Sequence, residues 1–322
     1  MKKNIIVLFF LSAIIHLAGC GMKDTKQTEN VSKDTNTLSA AGAGDKDKNF
    51  KITYPSPRLI YKIEEVDLDN NGRDEYIVFS VMHDSLNKDL YNFYKFDMME
   101  VFVKDSLNTS DNNSYKKIST DTVDYSSEYW FMNLEKDKSK QIILKTNMGG
   151  NDVVNSRGMY VFNYDAGKIN LVKYFDTGNP EVKDLDADGN KEIIVQDSFR
   201  GILPEAYSVY YPSEIYKYSA GKLIKSNSEF KKYYSEQLDN AFSEYNKMKS
   251  RISGGEKIKS SEYPLYKQAV QIVMIYVSME DYKSLSKFWS DESEYLKKNL
   301  QDEEYDDLKK FISKAAPIAN RI

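Results

Sequence analysis

The sequence predicts an α+β multidomain protein in which a repeated β domain is followed by an α-helical domain. A nine-residue acidic loop occurs twice in the same setting, and a related stretch lies between the two copies. After Phe230 the spacing of apolar residues changes from alternation to intervals of three and four. These observations place the repeat domain at 50–228 and the helical domain at 229–322.

The acidic loops read DLDNNGRDE from Asp67 and DLDADGNKE from Asp184, and each leads into a β-rich apolar run. Oxygen side chains at alternate positions, with a glycine at the sharp turn, are what a calcium loop requires. The predicted ligands are Asp67, Asp69, Asn71, the carbonyl of Arg73 and Glu75 in one loop, and Asp184, Asp186, Asp188, the carbonyl of Asn190 and Glu192 in the other. A plain Asp-Gly or Asn-Gly turn without an ion is the alternative.

The stretch 133–144 aligns without gaps to 184–195 and forms a third copy. It carries lysines at Lys136, Lys138 and Lys140 and lacks the turn glycine, which argues against a bound ion. We expect the fold of the repeat to persist there, with a lysine ammonium near the place of the cation. The repeat units lie near 58–120, 122–176 and 179–230, and the later two end in hairpins around Ala166-Gly167 and Ala220-Gly221.

The order of strand, Asp-x-Asp-x-Asp-Gly-x-x-Glu and strand resembles the FG-GAP or VCBS type of repeat found in integrin α-subunit heads. The resemblance covers about 58–230. It implies structural Ca²⁺ and a β-propeller-like array of about three four-stranded blades, followed here by the helical domain. A small three-bladed propeller and an open blade array capped by another element both agree with a count of three units.

The N-terminal residues 1–19 have two lysines and an apolar stretch, as in a signal peptide. Leu17-Ala18-Gly19-Cys20 resembles the lipobox of bacterial lipoproteins, which implies cleavage before Cys20 and attachment of lipid, including palmitate, to that residue. Residues 20–49 are polar and predict a disordered tether. We therefore expect a lipid anchor in the cell membrane, with the protein on the extracytoplasmic face.

The composition excludes several classes of chemistry. Cys20 is the single cysteine, and His83 is the only histidine left once His16 is removed with the signal peptide. Disulfides, zinc clusters and catalysis by Cys or His are therefore not expected. The formal net charge of −4 becomes more negative when Lys2 and Lys3 are lost, so nucleic acid is not an expected partner.

Aromatic and apolar stripes leave two interpretations open. The helical stripes that begin at Phe230 and at Pro264 are typical of a packed core, and a partner-binding face is the alternative. The tyrosines at Tyr207, Tyr210, Tyr211, Tyr216 and Tyr218 favour strand-face or core positions over recognition of a sugar or peptide.

No catalytic residue can be assigned from the sequence. The leading hypothesis is a calcium-stabilised binding or scaffolding lipoprotein for an envelope protein or glycan. The alternative is a cell-envelope hydrolase in which the same carboxylates perform acid/base chemistry.

Overall fold

A computed structural model describes residues 36–39, 50–83, 95–105, 114–196, 211–256 and 264–315, with the backbone alone for 36–39. The signal peptide, Cys20, most of the predicted tether, Tyr207 and Tyr210 lie outside these ranges. Four residues of the predicted tether form β1 (Asn36–Ser39), which pairs antiparallel with β2 (Lys51–Tyr54) in a two-stranded sheet.

The largest sheet has seven antiparallel strands in sequence order. They are β3 (Arg58–Val66), β4 (Glu75–Met82), β5 (Phe96–Lys104), β6 (Tyr115–Met132), β7 (Gln141–Asn147), β8 (Arg157–Asp165) and β9 (Lys168–Phe175). A short helix, α1 (Val153–Ser156), precedes β8 and is capped by Asp152. Because each strand pairs with the next along the chain, short connections suffice for most of the sheet.

Strand β6 is 18 residues long and joins the two halves of this sheet. Residues from Tyr115 to Ser126 pair with β5, and those from Ser126 to Met132 pair with β7. Around this junction the register shifts and Tyr125 adopts a φ of 61°. One continuous strand therefore runs across the boundary that the sequence predicted between the first and second repeat units.

A separate sheet has four strands in the order β10 (Glu181–Lys183), β11 (Glu192–Gln196), β12 (Ser213–Ser219) and β13 (Lys222–Lys225). Its last hairpin turns at Ala220-Gly221, and the β8–β9 hairpin turns at Ala166-Gly167. All four turn residues have positive φ, as a tight two-residue hairpin turn requires.

The predicted β-propeller-like array of three four-stranded blades is wrong. The described residues form a seven-stranded sheet, a four-stranded sheet and a two-stranded pair, and they close no barrel or propeller. The physical reason is the continuity of β6, which supplies hydrogen-bonding edges to both β5 and β7 and leaves no break between the first two units.

Four long helices follow a 3-10 turn at Asn227–Glu229. They are α2 (Lys231–Ser253), α3 (Pro264–Ser278), α4 (Tyr282–Asn299) and α5 (Asp302–Ala315). Ten of the 15 residues of α3 are buried, so α3 is the central helix of this part. Among the described residues, no helix has both the length and the apolar character needed to span a membrane.

The apolar stripes of the helices pack into a single cluster, the helical core, which also includes Ile215 of β12. Asn227 strengthens this junction, because it accepts from the Ile215 N–H at 2.8 Å and donates to the Ser278 carbonyl at 2.9 Å. Among the described residues, the exposed large apolar side chains all lie between Tyr61 and Ile224, before the four long helices begin. The helical stripes are therefore core, which favours the first of the two interpretations.

Candidate metal centres in the acidic loops

Three loops occupy equivalent places in the fold. The first loop (67–75) joins β3 to β4, the middle loop (133–141) joins β6 to β7, and the third loop (184–192) joins β10 to β11. In each loop the last side chain is buried and accepts a hydrogen bond from the backbone N–H of the second residue. These pairs are Leu68 to Glu75 at 2.9 Å, Leu134 to Gln141 at 2.8 Å and Leu185 to Glu192 at 3.0 Å.

The backbone of the two acidic loops turns in the same way. The fourth and sixth positions both have positive φ, at 59° and 81° for Asn70 and Gly72 and at 61° and 92° for Ala187 and Gly189. The glycine is needed at the sixth position because an L side chain rarely adopts that conformation. In the middle loop only Asp137, at the fifth position, has a positive φ. The middle loop thus takes a different local path between the same two strands.

In the first loop, three carboxylates converge and are held by the turn itself. Oxygens of Asp67, Asp69 and Glu75 lie within 4.8 Å of one another. Asp67 accepts from the N–H groups of Asn71 and Gly72 at 3.0 and 2.8 Å, and Asp69 accepts from the same Asn71 N–H. The Arg73 N–H donates to Asn71 Oδ1 at 2.8 Å. The three predicted carboxylate ligands are thereby brought together in one turn.

The third loop brings together Asp184, Asp186 and Asp188, whose oxygens also lie within 4.8 Å of one another. Asp184 Oδ2 accepts from the Gly189 N–H at 3.1 Å, and Asp188 accepts from the backbone and the side chain of Asn190. Glu192 is not in that 4.8 Å group, although it is 1% exposed at the base of the loop.

Two buried oxygens of the third loop show that its residues suit a cation. Asp184 Oδ1 and Glu192 Oε1 are inaccessible to solvent and have no hydrogen-bond partner in the described part of the chain. A buried carboxylate oxygen without a partner is costly unless a positive charge or a donor compensates it. An all-oxygen set of this kind is typical of Ca²⁺ or Mg²⁺ sites rather than zinc or copper sites.

The pKa shifts in the loops agree with clustered, unneutralised carboxylates. Burial is the main cause that raises the pKa of Glu75 to about 7; the charges of Asp69 and Asp67 contribute to this rise, and the hydrogen bond from the Leu68 N–H opposes it. Burial likewise raises the pKa of Glu192, with added repulsion from Asp186 and Asp188. A cation beside Glu75 or Glu192 would lower the pKa of that glutamate and favour its charged form.

The middle loop satisfies its own polar groups. Gln141 replaces the last glutamate, and its Nε2 donates to the Ser139 carbonyl at 3.0 Å. Asn133 replaces the first aspartate, and its amide donates to the Lys138 carbonyl. Amide nitrogens therefore take the role for which a lysine ammonium was expected. Lys140 turns away instead and donates to the Asp67 carbonyl of the first loop at 2.8 Å.

Several contributing residues were missed by sequence reasoning. Lys217 lies opposite Glu192 in the β11–β12 register and donates to Glu229 at 3.0 Å. The hydrogen bonds from Asn190 lower the pKa of Asp188, and the charge of Lys217 adds to this shift. No pattern in the sequence identifies Lys217, because the turn at Ala220-Gly221 fixes the β12–β13 register and not the β11–β12 register. Asn70 and Lys140, which join the first and middle loops, had no signal in the sequence.

The other candidate residues lie away from the loops. Tyr216 and Tyr218 pack against a core cluster with members from β7, β8, β9, β11 and the middle loop, and the Tyr211 hydroxyl donates to Asp152 at 3.4 Å. His83 is exposed at the end of β4, opposite to the end that carries the first loop. None of these residues adds to the acidic clusters.

No protein-family model matches the sequence. A search of curated proteins gives no match either. The chemistry of the loops and the fold that holds them are therefore the basis for any functional conclusion.

Proposed function

We propose that the protein is a calcium-braced binding or scaffolding module, anchored through lipid on Cys20 to the extracytoplasmic face of the cell membrane. The observation that carries the calcium assignment is the contrast between equivalent loops. The third loop has two buried carboxylate oxygens without partners, whereas the middle loop satisfies the same positions with amides. This contrast supports a cation in the third loop and none in the middle loop.

The residues of the acidic loops have separable roles in this proposal. Asp184, Asp186 and Asp188 in one loop, and Asp67, Asp69 and Glu75 in the other, supply the clustered oxygens. Bound calcium supplies the positive charge that offsets their mutual repulsion. The glycines at Gly72 and Gly189 permit the turn, and Glu75 and Glu192 also tie the loop ends together through the leucine N–H groups.

Calcium titration of the metal-free protein tests the assignment. We expect two ions per chain by mass spectrometry under native conditions, and a rise in the melting temperature. Calcium at one hundred times Kd adds about 2.7 kcal/mol per site. For a domain of this size that corresponds to a rise of roughly 5–10 °C per site. No bound calcium, together with an unchanged melting temperature in EDTA, would refute the assignment.

The hydrolase alternative makes the opposite prediction for the same substitutions. Under the proposed function, Asp186→Ala and Asp69→Ala each remove one calcium and lower the melting temperature in calcium. If the carboxylates were catalytic, these variants would abolish turnover of an envelope glycan and leave stability and metal content unchanged. Measuring all three quantities on one preparation separates the two functions.

The anchoring part of the proposal rests on the sequence of the N-terminal segment. The cysteine at the end of the lipobox-like motif is the expected lipid acceptor. We expect Cys20→Ala to remove fatty-acid labelling and to release the protein from the membrane fraction. Labelling that persists in this variant would contradict the assignment.

A partner surface is best supported on the β part. Leu171 and Tyr174 of β9 are 53% and 37% exposed, and the Tyr174 ring stacks on Tyr160 with centroids 4.0 Å apart. Exposed aromatic rings are enriched where proteins bind partners. We expect Tyr174→Ala to weaken retention of a protein or glycan partner, measured by cross-linking in intact cells and by co-sedimentation with purified wall glycan. Lys168→Ala, on the same strand, is the matched control.

A further inference from the structure

The middle loop lies between the two acidic loops and is hydrogen-bonded to both. Equivalent backbone bonds make the connection on each side: the Lys140 N–H donates to the Leu68 carbonyl at 2.7 Å, and the Lys191 N–H donates to the Leu134 carbonyl at 2.8 Å. Lys140 and Lys191 occupy the same position in their loops, and so do Leu68 and Leu134. In the described chain, no corresponding bond joins Asp74 of the first loop to Leu185 of the third. The three loops thus form an open series with the middle loop at its centre.

Side chains reinforce the contact between the first and middle loops. Lys140 Nζ donates to the Asp67 carbonyl at 2.8 Å, and Asn70 Nδ2 donates to the Lys138 carbonyl at 2.9 Å. Asp67 is a predicted ligand, and Asn70 lies between the predicted ligands Asp69 and Asn71. The middle loop therefore bonds to the same short segment that must be fixed when the first loop holds a cation.

The contact between the middle and third loops has the same character. The Lys136 N–H donates to Asn190 Oδ1 at 2.8 Å. The aliphatic part of the Lys136 side chain covers Gly189, since a Cβ on that glycine would lie 2.9 Å from Lys136 Cδ. Both contacted residues belong to the segment that carries Asp188 and the predicted carbonyl ligand. A change in the conformation of the third loop therefore alters the contacts of the middle loop directly.

We propose that the middle loop couples the two cation sites, so that occupation of one raises the affinity of the other. This inference rests on the proposed function, because it requires both acidic loops to bind calcium. Fixing one acidic loop fixes the atoms to which the middle loop bonds, and the middle loop in turn holds the second acidic loop. Binding of the second ion then costs less conformational entropy of the protein than binding of the first. Repulsion between two dications opposes this effect but is screened beyond about 8 Å at physiological salt.

A thermodynamic cycle measures the coupling. Calorimetric titration of the full mature chain gives the product of its two stepwise association constants for calcium. Asp186→Ala keeps only the first site, and Asp69→Ala keeps only the third site. The wild-type product divided by the product of the two single-site constants is the coupling factor. We expect a factor of about ten, which lies within the range typical of coupled sites.

Substitutions in the connecting side chains test the route of the coupling. Lys140→Met removes the bond to the Asp67 carbonyl, and Asn70→Gly removes the bond to Lys138 while tolerating the positive φ at that position. We expect the coupling factor to fall towards one when the same cycle is measured in a protein that carries both substitutions. Lys138→Met is the matched control: it removes the same charge from an exposed side chain of the middle loop and should keep the wild-type factor.

The outcomes separate the inference from the proposed function. Two bound ions with a coupling factor of one or below would overturn the coupling and leave calcium binding intact. A factor above one that is the same in the double variant would overturn the middle-loop route. Fewer than two bound ions in the wild-type chain would overturn the calcium assignment itself, and the coupling with it. Because each factor is a ratio, the direct effect of the lost Lys140 charge on the first site cancels.

Discussion

The backbone N–H of Leu134 donates a hydrogen bond of 2.8 Å to the side chain of Gln141, across a loop that lacks the carboxylates found at both ends of its two counterparts. The same bond links Leu68 to Glu75 and Leu185 to Glu192. Since an amide makes the bond as well as a carboxylate does, this contact belongs to the loop framework. The carboxylate charge must serve another purpose, and the substitutions below separate the two roles.

The charge of Glu192 can be removed while its hydrogen bond with the Leu185 N–H is kept. Glu192→Gln retains an acceptor for the Leu185 N–H, so we expect the variant in EDTA to be at least as stable as the wild type. Calcium should no longer stabilise the third loop. Glu192→Leu leaves that part-buried N–H without its acceptor and should cost about 1 kcal/mol in EDTA. Urea unfolding with and without calcium provides the comparison. Equal stability of the Gln and Leu variants would refute the framework role.

Gln141 offers the converse test in the middle loop. Gln141→Glu removes the donor to the Ser139 carbonyl and introduces a fully buried carboxylate. We expect a loss of about 1–3 kcal/mol at neutral pH, with no third calcium bound. Lys138→Gln changes the net charge equally on an exposed side chain and should alter stability by less than about 0.5 kcal/mol. Urea unfolding and ion counting check both statements, and a third bound calcium would contradict them.

Glu304 in α5 predicts a specific pH dependence. It is 8% exposed and accepts from the Gln301 N–H at 2.9 Å, and burial raises its pKa despite that bond. The folded protein therefore holds the proton more tightly than the unfolded chain. The resulting stability is present below the unfolded pKa of about 4.3 and is lost as the pH rises through the folded pKa.

Glu304→Gln removes this titration and keeps an acceptor for Gln301. We expect its free energy of unfolding to exceed that of the wild type at neutral pH, with the difference shrinking as the pH falls through the folded pKa of Glu304 towards the unfolded value of about 4.3. Denaturant unfolding from pH 4 to 8 gives both curves. An unchanged difference across this range would contradict the assigned pKa shift.

The hairpin turns carry removable backbone strain. Ala166 and Ala220 have φ of 49° and 48°, a region in which an alanine is disfavoured and an asparagine is tolerated. Each alanine to asparagine change should raise the free energy of unfolding by about 0.5–1 kcal/mol, and the two gains should add. Thermal or urea unfolding of the two single variants and the double variant measures these gains. Lys168→Asn, on the adjacent strand residue, should bring no such gain.

The sequence predicted local features well. The two hairpins around Ala166-Gly167 and Ala220-Gly221, the helical stripes and the acidic turns all follow from residues close together in the chain. The propeller-like arrangement failed, because strand sharing through β6 is a pairing decision made between distant segments. The connections of the middle loop, to the first loop through Lys140 and Asn70 and to the third loop through Lys136, were missed for the same reason.

By itself the sequence determined that this chain repeats an acidic turn, that one copy has amides in place of the carboxylates at its two ends, and that helices follow the strands. These properties depend on side-chain period, glycine positions and charge, which act within a few residues. Only the tertiary structure decided which oxygens are buried without a partner and which loops touch. Burial and long-range hydrogen bonds arise when distant strands pack together. The structure therefore reveals that the loop without carboxylate ligands at its ends holds its two acidic neighbours together.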